Sequence, residues 1–229
     1  MIVTAVLAAG CSTRPPEGEP WQLTVGDYWY ATTVGPNVTA EARTDILAVE
    51  QFRGIPAVRT HISAIQNFPN VTVLANTTSW SRAGDLATIE TVSYSRTWVP
   101  ENASVPPLQA NARTAFDPPC KGIRFPLTVA STWARRCEAD ITVDGPEEQR
   151  REQQDMIFRY RVQGRETITV PAGTFDSFVV AVEHQGTLSY QWISMQACGV
   201  VKAVVYQGTQ QIVTELAEYR CQAAQAALL

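Results

Sequence analysis

Five cysteines, at positions 11, 120, 137, 198 and 221, and two histidines, His61 and His184, are the side chains of this 229-residue chain best suited to covalent, redox or metal chemistry. No two of the cysteines form a C-x-x-C pair, and with only two histidines to join them a structural zinc site is not expected. His184 follows Glu183 near the end of a predicted strand, with Asp176 close by in sequence, so one reading makes it a general base oriented by a carboxylate. The reading preferred for it is a hydrogen-bonded or exposed histidine at a strand end. His61 shares a strand face with Arg59 and Ala57 and is read the same way. A nucleophile elbow, an H-E-x-x-H pair, a P-loop and a dinucleotide-binding glycine fingerprint are all missing. No catalytic residue, metal ligand or cofactor is therefore assigned.

Cys11 stands apart from the other four. It follows an apolar run over residues 2–9 that is too short to span a bilayer, which takes roughly 20 residues, and that fits the apolar core of a signal peptide. Leu7-Ala8-Ala9-Gly10-Cys11-Ser12 resembles the lipobox of bacterial lipoproteins, in which the cysteine receives the lipid. The position three before the cysteine is Ala8 rather than the more usual leucine, and the usual basic start is missing. The resemblance implies cleavage before Cys11, several acyl chains on it and lasting membrane attachment. Ser12 to Pro20, rich in proline, glycine and charge, reads as a tether. The expected organisation is a signal peptide over 1–10, lipidated Cys11 with a flexible tether over 11–20, a first β unit over 21–116, a second over 117–222, and a tail over 223–229.

Removing Cys11 leaves four body cysteines, and four cysteines in an exported chain suggest two disulfides with three possible connectivities. Folding the chain back about Gly208 brings Cys198 nearly opposite Cys221, which pairs Cys198 with Cys221 and leaves Cys120 with Cys137. A net charge of -4 gives no basic footprint for nucleic acid, which is excluded as a partner. The charged run Glu147, Glu148, Arg150, Arg151, Glu152 and Asp155 reads as a water-facing element, a short helix or loop.

The rest reads as strands. Phe158, Tyr160 and Val162 alternate with Arg159 and Arg161, the period of a half-buried strand with one wet face. Hairpins are expected at Gln51–Ile55, at Arg82–Asp85, at Gln207–Thr209 and at Pro171-Ala172-Gly173-Thr174, where Pro171 and Gly173 are the structural turn residues. Leu23-Thr24-Val25 and Leu127-Thr128-Val129 are each followed, after three intervening residues, by a tryptophan, Trp29 or Trp133, and each opens a hairpin-rich stretch. The expected fold class is all-β: an antiparallel curved sheet, sandwich or half-barrel built from two related hairpin-rich units.

Phe125-Pro126-Leu127-Thr128-Val129 with Trp133, then Glu166 to Asp176 containing Val-Pro-Ala-Gly-Thr-Phe, and then Tyr190-Gln191-Trp192, resemble an arrangement in bacterial envelope lipoproteins of the DUF3108-like and TapB-like kind. Ala130 stands where that motif has glycine, while Gly26 keeps the glycine in the first unit. The resemblance implies a strongly curved antiparallel β body without established enzyme activity. The expected function is a lipid-anchored, non-enzymatic binding or scaffold module, or an accessory subunit with a protein partner in the envelope. It would be exported and held on a bacterial membrane, the outer membrane facing the periplasm or the cell surface. A carrier of a lipid or other apolar ligand in a β-sheet concavity is the alternative, and a hydrolase using His184 the least favoured.

Overall fold

A computed structural model describes residues 23–99, 108–145 and 149–222. Cys11 and the expected signal peptide, tether and tail lie outside these residues. The described chain forms twelve strands: β1 (Tyr28–Gly35), β2 (Val38–Phe52), β3 (Ile55–Phe68), β4 (Val71–Arg82), β5 (Thr88–Trp98), β6 (Gln109–Cys120), β7 (Thr132–Asp144), β8 (Gln149–Val170), β9 (Gly173–His184), β10 (Thr187–Ser194), β11 (Gly199–Gln207) and β12 (Gln210–Arg220).

Each strand pairs antiparallel with its neighbours in sequence, and β1 pairs with β12, so the sheet closes into a barrel. This corrects the expected open sheet, sandwich or half-barrel. The all-β, antiparallel character stands, but there is no open edge: Tyr28 meets Arg220 and Val34 meets Val213 across the closing seam. Closure satisfies the backbone donors and acceptors that an edge strand would leave unpaired. A second correction concerns Gln149 to Asp155, which are the first residues of β8 and not a helix or loop.

The register divides every strand into an inner and an outer face. Trp29, Thr44, Ile62, Thr77, Ser93, Ala112 and Val143 oppose one another in turn around the inside of β1 to β7. The outer face carries ion pairs along its length, including Arg43–Asp45 at 2.8 Å, Arg136–Asp155 at 2.7 Å, Arg159–Glu183 at 3.4 Å and Lys202–Glu215 at 2.7 Å. A membrane-spanning barrel carries an apolar band about 25 Å tall on this face; here ion pairs interrupt it, beside exposed apolar side chains such as Ile65, Leu74 and Trp98.

One end of the barrel is packed. Trp29, Ile46, Val58, Val170, Phe175, Ala197, Val201 and Leu216 form one buried cluster there. Leu127, Val162, Val180, Val182, Ile193 and Val200 form a second, against which Ile123 and Phe125 of the long β6–β7 connection pack. Both disulfides belong to this end: Cys120–Cys137, with Cα atoms 5.3 Å apart, and Cys198–Cys221, with Cα atoms 6.6 Å apart. In the chain-entropy model, loops of this length give each bridge about 3 kcal/mol. Asp27, fully buried, accepts hydrogen bonds from the backbone N–H groups of Thr24 and Gln222 and so fastens the start of the described chain to the end of β12.

The two halves repeat one another in detail. Gly26 N–H bonds Ile46 C=O and Ile46 N–H bonds Asp27 C=O; Ala130 N–H bonds Val162 C=O and Val162 N–H bonds Ser131 C=O. Bulges follow at Ile46/Ala48 and Val162/Gly164, and again at Trp80/Ser81 and Trp192/Ile193. Trp80 donates its indole N–H to Glu50, and Trp192 donates its own to Glu166. Bulges increase local twist and bend a strand, and here they recur at matched places near the packed end.

Candidate functional site: the barrel lumen

Eight strands give an interior that side chains just fill, whereas larger barrels enclose space. The sequence adds to that space by lining much of the inner wall with its smallest side chains. Ala31, Ala42, Ala64, Ala75, Ser95 and Ala110 oppose one another in a row across β1 to β6. Thr60, Ser79, Thr91 and Thr114 form a row nearer the packed end. Where hydroxyls meet on this wall they bond each other, as in Thr77–Ser93 and Thr33–Thr214, both at 2.9 Å. Ala42, Ala75, Ser95 and Ala110 face inward yet are only half-buried, whereas Ala31 and Ala64 of the same row are buried, Ala31 within the second core cluster.

The opposite wall is heavier. Alternation in Trp133-Ala134-Arg135-Arg136-Cys137 sends Trp133, Arg135 and Cys137 inward, and the facing residues on β8 are Tyr160, Phe158 and Met156. Trp133 stacks on Tyr160 with ring centroids 5.0 Å apart, and Phe158 stacks on His184 at 4.2 Å. Phe158 and Tyr160 lie 6.4 Å apart, so the four rings form a continuous strip. Trp133 is oriented by its indole N–H, which donates to Gly122 C=O at 3.1 Å. The strip is half-buried throughout. Burial pushes the Tyr160 phenol up to about 12, against a smaller downward pull from the Arg135 charge. Nearer the far end the same wall turns polar, with Gln154, Glu152 and Arg150 inward and Arg150 paired to Glu152.

His184 is therefore a wall residue. Its Nδ1 lies 3.1 Å from Ile157 C=O, while Glu183 points outward to Arg159 and Asp176 accepts from the Thr167 hydroxyl. Among the described residues no carboxylate hydrogen-bonds the ring. His61 faces outward on β3, opposite Asp45 and Thr78. Pro171 and Gly173 bound the β8–β9 turn, with Gly173 at φ 137° and Ala172 N–H bonding Leu216 C=O. Glu147 and Glu148 lie outside the described residues, and Glu152 and Asp155 fall on opposite faces of β8. Among the described residues no cluster of three His, Cys, Asp or Glu side chains is arranged to hold a metal ion. Sequence reasoning passed over Arg135 and the alanine–serine row. The available signals were an arginine alternating in phase with Trp133 and Cys137, and Ala40 and Ala42 alternating with Glu41 and Arg43.

On the outer wall, a shallow groove of about 460 Å³ runs over Thr132, Ala134, Arg159, Arg161, Ala181 and Leu188. A second, of about 240 Å³, is lined by Tyr30, Glu41, Arg43, Ile65, Leu74 and Asn76.

No protein-family profile matches the chain, and no curated protein matches it in sequence, so the DUF3108-like and TapB-like resemblance has no family match behind it. Among solved structures the chain is similar to the crystal structure, at 2.70 Å resolution, of a candidate lipoprotein from Parabacteroides distasonis. The two share 14% identity over 92% of this chain and 99% of that one, with a TM-score of 0.38.

Proposed function

We propose that the protein is an exported lipoprotein, anchored through Cys11, and a non-enzymatic binding module whose barrel lumen receives an apolar ligand. The single observation that supports the binding reading is the inner wall: the barrel closes with twelve strands, more than side chains readily fill, and its inward Ala42, Ala75, Ser95 and Ala110 are only half-buried. The Cys11 motif and the two disulfides of the body support export. The described chain begins at the packed end, where Leu23 joins the buried cluster. An anchor at Cys11 would therefore join the body at its packed end.

Intact mass spectrometry of the protein extracted from its native membrane tests both parts. The expected result is an acylated amino-terminal cysteine, and, under non-denaturing conditions, an added mass that disappears on denaturation. An unmodified Met1 terminus would rule out the anchor, and a ligand-free species at every extraction condition would count against the receptacle. A second reading, docking as an accessory subunit, is favoured by apolar side chains on the outer wall of β3 to β5: Ile65, Leu74, Tyr94 and Trp98 are 37–58% exposed. Co-purification of one stoichiometric envelope protein, lost on Leu74→Lys, is the expected outcome for that reading.

A further inference from the structure

Resting on the reading of the lumen as a receptacle, we propose that its ligand is an amphiphile with one anionic head group on an apolar body, and that Arg135 is the residue that takes the head. Arg135 projects from β7 into the barrel between Trp133 and Cys137, opposite Phe158. Its Nε is buried and has no hydrogen-bond partner, a state it shares with Arg59 and Arg96, but those two face outward on β3 and β5 and Arg135 faces into the barrel. Among the described residues it forms no ion pair, whereas Arg43, Arg136, Arg151 and Arg159 on the outer wall each meet a carboxylate, and Arg150 near the far end meets Glu152.

A buried donor left unmatched is costly and rare, and a guanidinium keeps its charge at any physiological pH. The Tyr160 phenol, which feels the Arg135 charge, is held neutral by burial and supplies no counter-charge. What Arg135 lacks, then, is an anion, and its planar fork suits the two oxygens of a carboxylate or phosphate. Around it lie the Trp133–Tyr160 and Phe158–His184 stacks and Met156, which offer apolar area and no acid. The body of the ligand would lie along the small side chains of the alanine–serine row on β1 to β6. The head lies toward the packed end, because β7 begins there and Arg135 is its fourth residue.

The experiment uses the full chain and the fluorescent fatty acid cis-parinaric acid, displaced by oleate, oleyl phosphate or oleyl alcohol. The expected result is displacement by oleate, oleyl phosphate or both at concentrations at least about tenfold below those of the alcohol, the scale of one charge-assisted pair. Arg135→Met should weaken binding of the probe itself and erase that preference, read as the ratio of the displacing concentrations of the anionic competitors and the alcohol, and Arg135→Lys should restore part of it. Whether carboxylate or phosphate is favoured identifies the head. Equal displacement by all three in the wild-type protein overturns the assignment and leaves the receptacle standing. No binding of cis-parinaric acid at all overturns both. Because the wild-type comparison decides the first point alone, a variant that fails to fold does not rescue the proposal.

Discussion

Asp27 shows what burial does to a single ionisable group here. Its carboxylate is fully buried and bonded by two backbone N–H groups, yet loss of hydration outweighs them and holds its pKa above the ordinary carboxylate range. A folded-state pKa raised above the unfolded value means that the folded state holds the proton more tightly. The contribution of Asp27 to stability is thus fully present below the unfolded pKa, about 3.9, and is lost as pH rises through the raised folded value. The amide introduced by Asp27→Asn does not titrate. Unfolding free energies of the wild type and of this variant, measured by denaturant between acid and neutral pH, should therefore differ by an amount that moves in the variant's favour as pH rises. A difference that moves the other way would show that the two N–H bonds dominate. Arg135 poses a different problem, an inward guanidinium whose buried Nε has no partner, and that want of a partner points to a ligand.

At the scale of elements, the matched turns at 24–27 and 128–131 offer a comparison inside one molecule. Both use a left-handed residue to bond back to a bulged strand: Gly26 at φ 94° in one and Ala130 at φ 67° in the other. Alanine pays for that conformation where glycine does not, so Ala130→Gly is expected to raise stability by about 0.5–1 kcal/mol, read as a shift of the urea midpoint without a change in slope. A destabilised variant would mean that the alanine methyl packs favourably enough to outweigh its strain.

The strands and several turns were legible in the sequence for the same local reasons. Phe158, Tyr160 and Val162 do face one way, and the chain does reverse at Arg53-Gly54, at Ala172 and at Gly208. Residues 149–155 were not legible, because the inward side chains there are Arg150, Glu152 and Gln154. A strand that faces a wet lumen on one side and solvent on the other shows no apolar alternation. The pairing of Cys198 with Cys221 followed from a hairpin about Gly208, a contact short in sequence.

The whole molecule was the least legible level. Closure depends on β1 meeting β12, a pairing between the two ends of the described chain that no local pattern reports. An inner face of alanine, serine and threonine also looks too polar for a core, which is what a hollow interior requires. The aromatic strip could be seen in part, since Phe158 and Tyr160 share a face, but its junction with Trp133 and His184 needed the register of three strands.

A hollow lumen that binds ligand is tested most directly by filling it. In Ala42→Phe/Ala75→Phe, two bulky rings enter from adjacent inner positions of β2 and β4 that the intervening Ala64 connects. If the lumen is empty and functional, the melting temperature stays within a few degrees of the wild type and binding of cis-parinaric acid is lost. Overpacking a filled interior costs about 1–3 kcal/mol per site, so a steep loss of stability, or unchanged binding in a stable variant, would contradict the hollow receptacle.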